Sequence, residues 1–280
     1  MASEETISIE EVKACLSRSG YLMESRLVRA LSDAGFFVEP NVAHQDPRTG
    51  KAREIDLTAE NSGGYFQPGV CVKTTFVIEA INNRYPIVLL TERPSTPNAD
   101  FESYIKFGCT PDPCPFLREF DVYDEKKANW DNLFSQYCAL TRKSGRDEFM
   151  ASHPDDMYSS LLKLAEYTED ELAHFQSWTS EQQGEYWRLF YWQPILVVSG
   201  RLMTAKVSLD GTLQLQEAPL ARLEFNWHDA DVRRTTVIEV VHEDFLLERL
   251  EAVRQQDELT GQRMAAFALE FKSSSPGGEL

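Results

Sequence analysis

Two acidic residues of this chain stand inside apolar stretches, and their types and placement suit metal chemistry. Asp56 lies in Arg53-Glu54-Ile55-Asp56-Leu57, and Glu79 lies in Val77-Ile78-Glu79-Ala80-Ile81. A carboxylate among such neighbours is costly to bury unless it gains a cation or hydrogen-bond donors. Two carboxylates on neighbouring strands can converge on one hard divalent cation, which takes oxygen ligands. Such an ion polarises a phosphoryl oxygen and acidifies a bound water, which is what phosphodiester hydrolysis needs. A third acid, Glu24, falls in Met23-Glu24-Ser25-Arg26. Plainer readings stand beside these: Glu24 as a solvated helix charge, Asp56 as the end of a strand.

The elements that must position these groups follow from patterning. Residues 8–17 and 21–34 have helical spacing, the second with Leu22, Leu27, Val28 and Leu31 on its apolar stripe and Gly35 as its stop. Residues 36–44, 52–59, 70–81 and 87–92 read as strands, with a Pro-Gly turn signal at 46–51. Residues 93–116 are Pro-rich and read as irregular. Helical spacing returns at 130–141, and two more helices are expected near 156–167 and 169–188. From 193 onward, short alternating runs predict antiparallel strands, with Asp210-Gly211 as a hairpin signal. A closing helix is expected at 242–257.

The order of these features resembles the PD-(D/E)XK nuclease superfamily, specifically its restriction-endonuclease-like bacterial members. The resemblance covers about residues 20–145 and rests on Glu24, Asp56 and Glu79 in that order on helix, strand and strand. It implies an α/β fold: a restriction-endonuclease-like core of helix, mixed central β-sheet and flanking helices over 1–150. A C-terminal α+β extension at 151–270, with a helical segment, a small antiparallel β unit and a closing helix, either stands apart or belongs to the same domain. Residues 271–280 read as a flexible tail. By resemblance, Asp56, Glu79 and the backbone carbonyl of Ala80 hold Mg²⁺ or Mn²⁺, and Glu24 reaches the metal through water. Gln136, next to Tyr137, would flank the site from the helix expected at 130–141. Arg84, Arg142, Lys143 and Arg146 are candidate phosphate contacts, although basic residues after a helix C-terminus are often only a solvated end.

One position departs from the family pattern. Where the pattern has lysine two residues after the second carboxylate, this chain has Ile81, which neither moves a proton nor balances an anion. Three accounts compete. Another base substitutes: Lys73 lies about 26 Å away along the strand, Arg53 should face away from Asp56, and Arg84 just past the strand end is the best placed. Alternatively, water activated without a lysine suffices at a reduced rate. In the third account catalysis is lost and the fold binds or assembles, for example in a bacterial or phage defence system. The Ile81 departure favours loss or strong impairment.

The net charge of -17, from 28 basic and 45 acidic residues, repels phosphate at long range and disfavours tight non-specific nucleic-acid binding. DNA is the expected substrate or ligand, a protein partner or a homodimer is compatible, and the acidic surface would also suit a protein-binding scaffold. The N-terminus lacks an apolar signal region and no run is long enough to cross a bilayer, so no membrane partner is expected and the cytoplasm is the expected location. The five cysteines are odd in number and predict no disulfide framework. Cys109 and Cys114 bracket a Pro-rich turn but lack the second Cys/His pair of a zinc site.

Overall fold

The computed structural model describes residues 7–46, 50–61, 63–67, 69–94, 104–112, 114–119, 132–142, 148–181, 186–229 and 231–274. In chain order these form α1 (Ile9–Arg18), α2 (Tyr21–Asp33), β1 (Phe36–Gln45), β2 (Ala52–Asn61), β3 (Tyr65–Phe66), β4 (Val70–Ile81), β5 (Ile87–Pro94), β6 (Lys106–Thr110) and α3 (Pro115–Glu119). There follow β7 (Asn132–Arg142), β8 (Phe149–Ser152), α4 (Asp155–Glu181), β9 (Trp187–Val198), β10 (Leu202–Val207), β11 (Leu213–Glu217), β12 (Leu220–Asp229), β13 (Val232–His242) and α5 (Glu243–Ser274).

The strands join in one mixed 13-stranded sheet with flanking helices. Its main path runs β1-β2-β4-β9-β13-β12-β7-β5-β10-β11, with β3 on β4, β6 on β9 and β8 on β7. Strand β4 is central: it runs antiparallel to β2 and parallel to β9 along its whole length. Residue 150 lies within β8, and the sheet joins strands from both sides of it.

Alternation along β4 separates two cores. Phe76 and Ile78 face one layer, where they pack with Met23, Leu27 and Leu31 of α2 and Leu246, Leu250 and Val253 of α5. Val77 faces the other layer, with Met157, Leu161, Leu164 and Ala165 of α4. Odd-numbered residues of β4 therefore look toward α4, and Glu79 is one of them. Gly108 of β6 lets α4 lie close to the sheet, since a side chain there would strike the Phe175 ring.

Several elements differ from the sequence reading. Residues 132–142, expected as helix, are strand β7, because every backbone position from Asn132 to Ala139 except 135 has a registered partner on β5. Leu133, Phe134 and Tyr137 fit an apolar helix stripe by spacing, but long-range pairing overrides that local signal. The two helices expected near 156–167 and 169–188 are one, α4, and the aromatic run at 186–192 opens strand β9 with Trp187, Leu189 and Tyr191 buried. The stretch 93–116 contains β6 and the start of α3, and the closing helix runs on to Ser274. Among the described residues, no helix is long and apolar enough to cross a membrane.

Candidate functional site

The candidate site lies where β2 parts from β4. Their ladder runs Glu60↔Thr75, Ala59↔Phe76, Thr58↔Val77, Leu57↔Ile78; one further step sets Asp56 against Glu79. Opposite residues of an antiparallel pair share a face. At that step side chains replace the main-chain ladder: the Asp56 N–H donates to Glu79 Oε1 at 3.3 Å, and the Ala80 N–H donates to Asp56 Oδ2 at 2.8 Å. Each carboxylate thus fixes the other's strand. A bend helps, for Asn41 on β1, beside this point, has φ 53°. Beyond the bend Ile55 packs in the α4 core, whereas Leu57 packs in the opposite one.

The lysine of the site comes from α4. Lys163 Nζ lies 2.6 Å from both Oε1 and Oε2 of Glu79 and donates to the Glu54 carbonyl at 3.1 Å. Its neighbours Leu161, Leu164 and Ala165 anchor the helix in the core, which fixes the lysine's approach. One turn back, Ser160 also bonds Glu79. Ile81, on the same strand face as Glu79, packs against that apolar core. The charge expected on the strand is therefore carried by the facing helix.

Burial and mutual repulsion dominate the electrostatics of the cluster. Burial, then the Asp56 charge, pushes Glu79 up to about 7, despite the opposing pull of Lys163. Burial raises Asp56 too, against the Ala80 hydrogen bond and Lys163. Glu24, on α2, is raised by burial and by Asp56 and lowered by Lys163. Three carboxyl groups thus feel one ammonium. Beside them an open hollow is lined by Ala43, Ala52, Arg53, Glu54, Asp56, Ser159 and Lys163.

The other expected site residues are placed as follows. Arg53 does not face away from Asp56; both line this hollow, because the bend at Asp56 breaks strict alternation. Its guanidinium is held by Asp46 at 2.5 Å and Glu166 at 3.4 Å, both buried. Lys73 pairs with Glu60 at 2.6 Å. Arg84 is exposed and lies over the Tyr85 ring at 5.6 Å. Gln136 is on β7, not a helix, and accepts from Thr91 at 2.5 Å. Four strand steps separate β7 from β4 in the sheet, about 19 Å, so Gln136 does not join the carboxylates. Arg142, at the end of the same strand, lies over Phe149 at 5.8 Å. Lys143 and Arg146 fall outside the described residues.

Sequence reading missed Lys163. Its signal was nonetheless there: one base inside the apolar helical run Leu161-Leu162-Lys163-Leu164-Ala165, the counterpart of Glu79 inside its strand. Comparison with family models, with curated proteins and with solved structures finds no match to this chain.

Among the described residues, no group of three or more His, Cys, Asp or Glu side chains is arranged to hold a metal ion. A pair of carboxylates remains, and Mg²⁺ commonly takes one or two carboxylates and keeps several waters. Asp56 and Glu79, buried side by side with one ammonium between them, offer the oxygen donors that such an ion takes.

Proposed function

We propose that this chain is a nuclease with a restriction-endonuclease-like core, hydrolysing DNA phosphodiester bonds with Mg²⁺ or Mn²⁺ at Asp56 and Glu79. The observation that carries the reading is Lys163, whose ammonium stands 2.6 Å from Glu79 in a chain with isoleucine at the strand position. It brings beside the carboxylates the positive charge that Ile81 lacks, so activity no longer has to be lost with the motif lysine.

The residues have separate roles in this reading. Asp56 and Glu79 hold the ion, with the Ala80 carbonyl as a further oxygen. When bound, the ion supplies Lewis acidity toward the scissile phosphate and acidifies water. Lys163 would balance phosphate charge and orient the attacking water by donating to it beside Glu79. Glu24 orients water from the α2 side. Ser159 and Lys163 border the hollow through which a phosphate would enter.

A second reading is a catalytically inactive nuclease-like module that binds or assembles. The Lys163 ion pair favours it in one respect, because the ammonium can itself balance the Glu79 charge. The acidic net charge of -17 also weighs on that side. Incubation of the chain with supercoiled plasmid in Mg²⁺ or Mn²⁺ separates the two. The nuclease reading expects nicking that Asp56→Ala removes; absence of cleavage under either metal, with DNA still intact at long times, leaves the inactive module.

A further inference from the structure

Strand β11 stands at one end of the sheet's main path and, among the described residues, its ladder is with β10 alone. All of its residues, Leu213 to Glu217, are exposed. The hydrogen bonds at its two ends fix which way its backbone points. The Ser208 N–H donates to the Thr212 carbonyl at 3.0 Å, and the Ala218 N–H donates to the Leu202 carbonyl at 3.0 Å. The register between them is unbroken, from Val207↔Leu213 to Met203↔Glu217. Even-numbered residues of β11 therefore bond to β10, and the N–H and C=O groups of Leu213, Leu215 and Glu217 point out of the sheet edge. On one face of the hairpin Leu213, Leu215 and Val207 are each more than half exposed. Natural sheet edges are usually guarded by lysine, proline or a bulge, and Leu213-Gln214-Leu215-Gln216-Glu217 has none of these. We propose that β11 pairs with β11 of a second copy of this chain, antiparallel about a two-fold axis at Leu215, so that the sheet continues across a homodimer.

The strand is its own complement in that register. Leu215 meets Leu215 of the second copy, and Leu213 meets the second copy's Glu217, so every outward N–H and C=O finds an outward-pointing counterpart. On the other face Gln214 meets Gln216, and each amide can both donate and accept. Charge selects this register over its neighbours. The two Glu217 side chains stand four residues apart along the seam, about 14 Å, beyond the roughly 8 Å over which salt leaves charges in contact. Pairing centred on Glu217 would set like charges face to face, which is unfavourable. The nearby charges are already engaged within the chain, Arg201 with Glu217 and Lys206 with Glu92. The hairpin is also set in advance: Asp210 in its turn accepts from Ser208 Oγ at 2.5 Å and from the Thr212 N–H at 3.0 Å. Little order then has to be gained on pairing.

The test is sedimentation equilibrium of the full chain, joined to hydrogen exchange at low and high protein concentration. The expected result is a monomer–dimer equilibrium with Kd on the order of 10–100 μM, as suits so short a seam. Raising the salt should tighten it, because two copies of net charge -17 repel each other until screened. At high concentration the amides of Leu213, Leu215 and Glu217 should gain protection, while those of Gln214 and Gln216, already bonded to β10, should change little. Leu215→Lys sets two ammonium groups at the axis and should weaken the dimer at least about tenfold. Leu215→Pro removes an outward N–H without touching the β10 ladder, and should do the same. A chain that stays monomeric to about 300 μM, or a dimer that leaves the three outward amides unprotected, overturns the proposal. So does a dimer that salt dissolves, since ion pairs elsewhere would then hold it. The wild-type exchange pattern decides even where a variant fails to fold, and none of these readouts depends on nuclease activity.

Discussion

Lys163 Nζ reaches Glu79 at 2.6 Å across the boundary between two layers, from helix α4 to strand β4. Strand position 81 is given to the apolar core, and the positive charge beside Glu79 comes from the helix that covers it. If this ammonium does the work of a motif lysine, Lys163→Met should cut plasmid cleavage by about 10²- to 10⁴-fold, the usual worth of a positioned acid or base. Lys163→Arg should recover only part, since the planar guanidinium fork does not reproduce the ammonium's compact charge and donor geometry. Adding Ile81→Lys to Lys163→Met moves the charge back to the strand and should restore measurable cleavage. The check is the initial nicking rate of supercoiled plasmid; equal rates for wild type and Lys163→Met would remove the lysine from the mechanism.

Cation binding can be read without catalysis. Calorimetric titration with Mn²⁺ should show one site in wild type, and Glu79→Gln or Asp56→Asn should weaken it by at least about tenfold. Glu24→Gln should weaken it less, because Glu24 is set back on α2 and senses Asp56 only by charge. A Mn²⁺ isotherm unchanged by Glu79→Gln would place the ion elsewhere.

Glu79 also predicts a pH dependence of stability. Its folded value is raised, to about 7 from 4.5, by burial and the Asp56 charge. The folded state then binds more protons than the unfolded chain between these values, so this group's contribution is full below pH 4.5 and is lost as pH rises to 7. The loss is at most about 3–4 kcal/mol. Urea denaturation at pH 5 and pH 7 should show wild type losing more stability than Glu79→Gln over that interval. Saturating Mn²⁺ should shrink the difference, because it favours the ionised form. Parallel wild-type and variant curves would mean that Glu79 titrates as an ordinary carboxylate.

How much of this was legible in the sequence depends on the range of the interaction. The strands β1, β2, β4 and β5 and helices α1 and α2 were readable because period-two and helical patterning is local. So was the approach of Asp56 to Glu79, since acids embedded in adjacent strands leave few other arrangements. Strand β7 was not, because its apolar spacing imitates a helix and its strand state is set by β5, some 45 residues upstream by the Thr91–Gln136 contact. Lys163 was missed for a related reason. Its partner Glu79 is 84 residues away, and only tertiary packing shows that α4 crosses the same face. Arg53 escaped through geometry: alternation assumes an unbent strand, and β2 bends at Asp56.

A second buried carboxylate gives the opposite pH signature and a stability test of its own. Glu239, on β13, is buried, and accepts from Arg249 Nε and Nη2 at 2.8 Å each, from Arg222 Nε at 3.0 Å and from Gln193 Nε2 at 2.6 Å. Burial raises it, but Arg249 and Arg222 outweigh burial and hold it below the usual range. Its contribution is therefore present above the unfolded value of 4.5 and lost as pH falls through the folded one. Glu239 thus keeps its contribution over the interval in which Glu79 loses its own, and the two carboxylates act in opposite directions with pH. The network joins strand β13 to helix α5, so breaking it should loosen the α5 layer. Arg249→Met leaves Glu239 with one guanidinium in a dry site and should cost about 3–5 kcal/mol. Replacing Glu239, Arg222 and Arg249 together by apolar residues should return much of that loss, since no buried charge is then left unpaired. Urea midpoints of wild type, Arg249→Met and the triple variant measure both effects. A single variant as stable as wild type would show that the bidentate pair contributes nothing to holding α5 on the sheet.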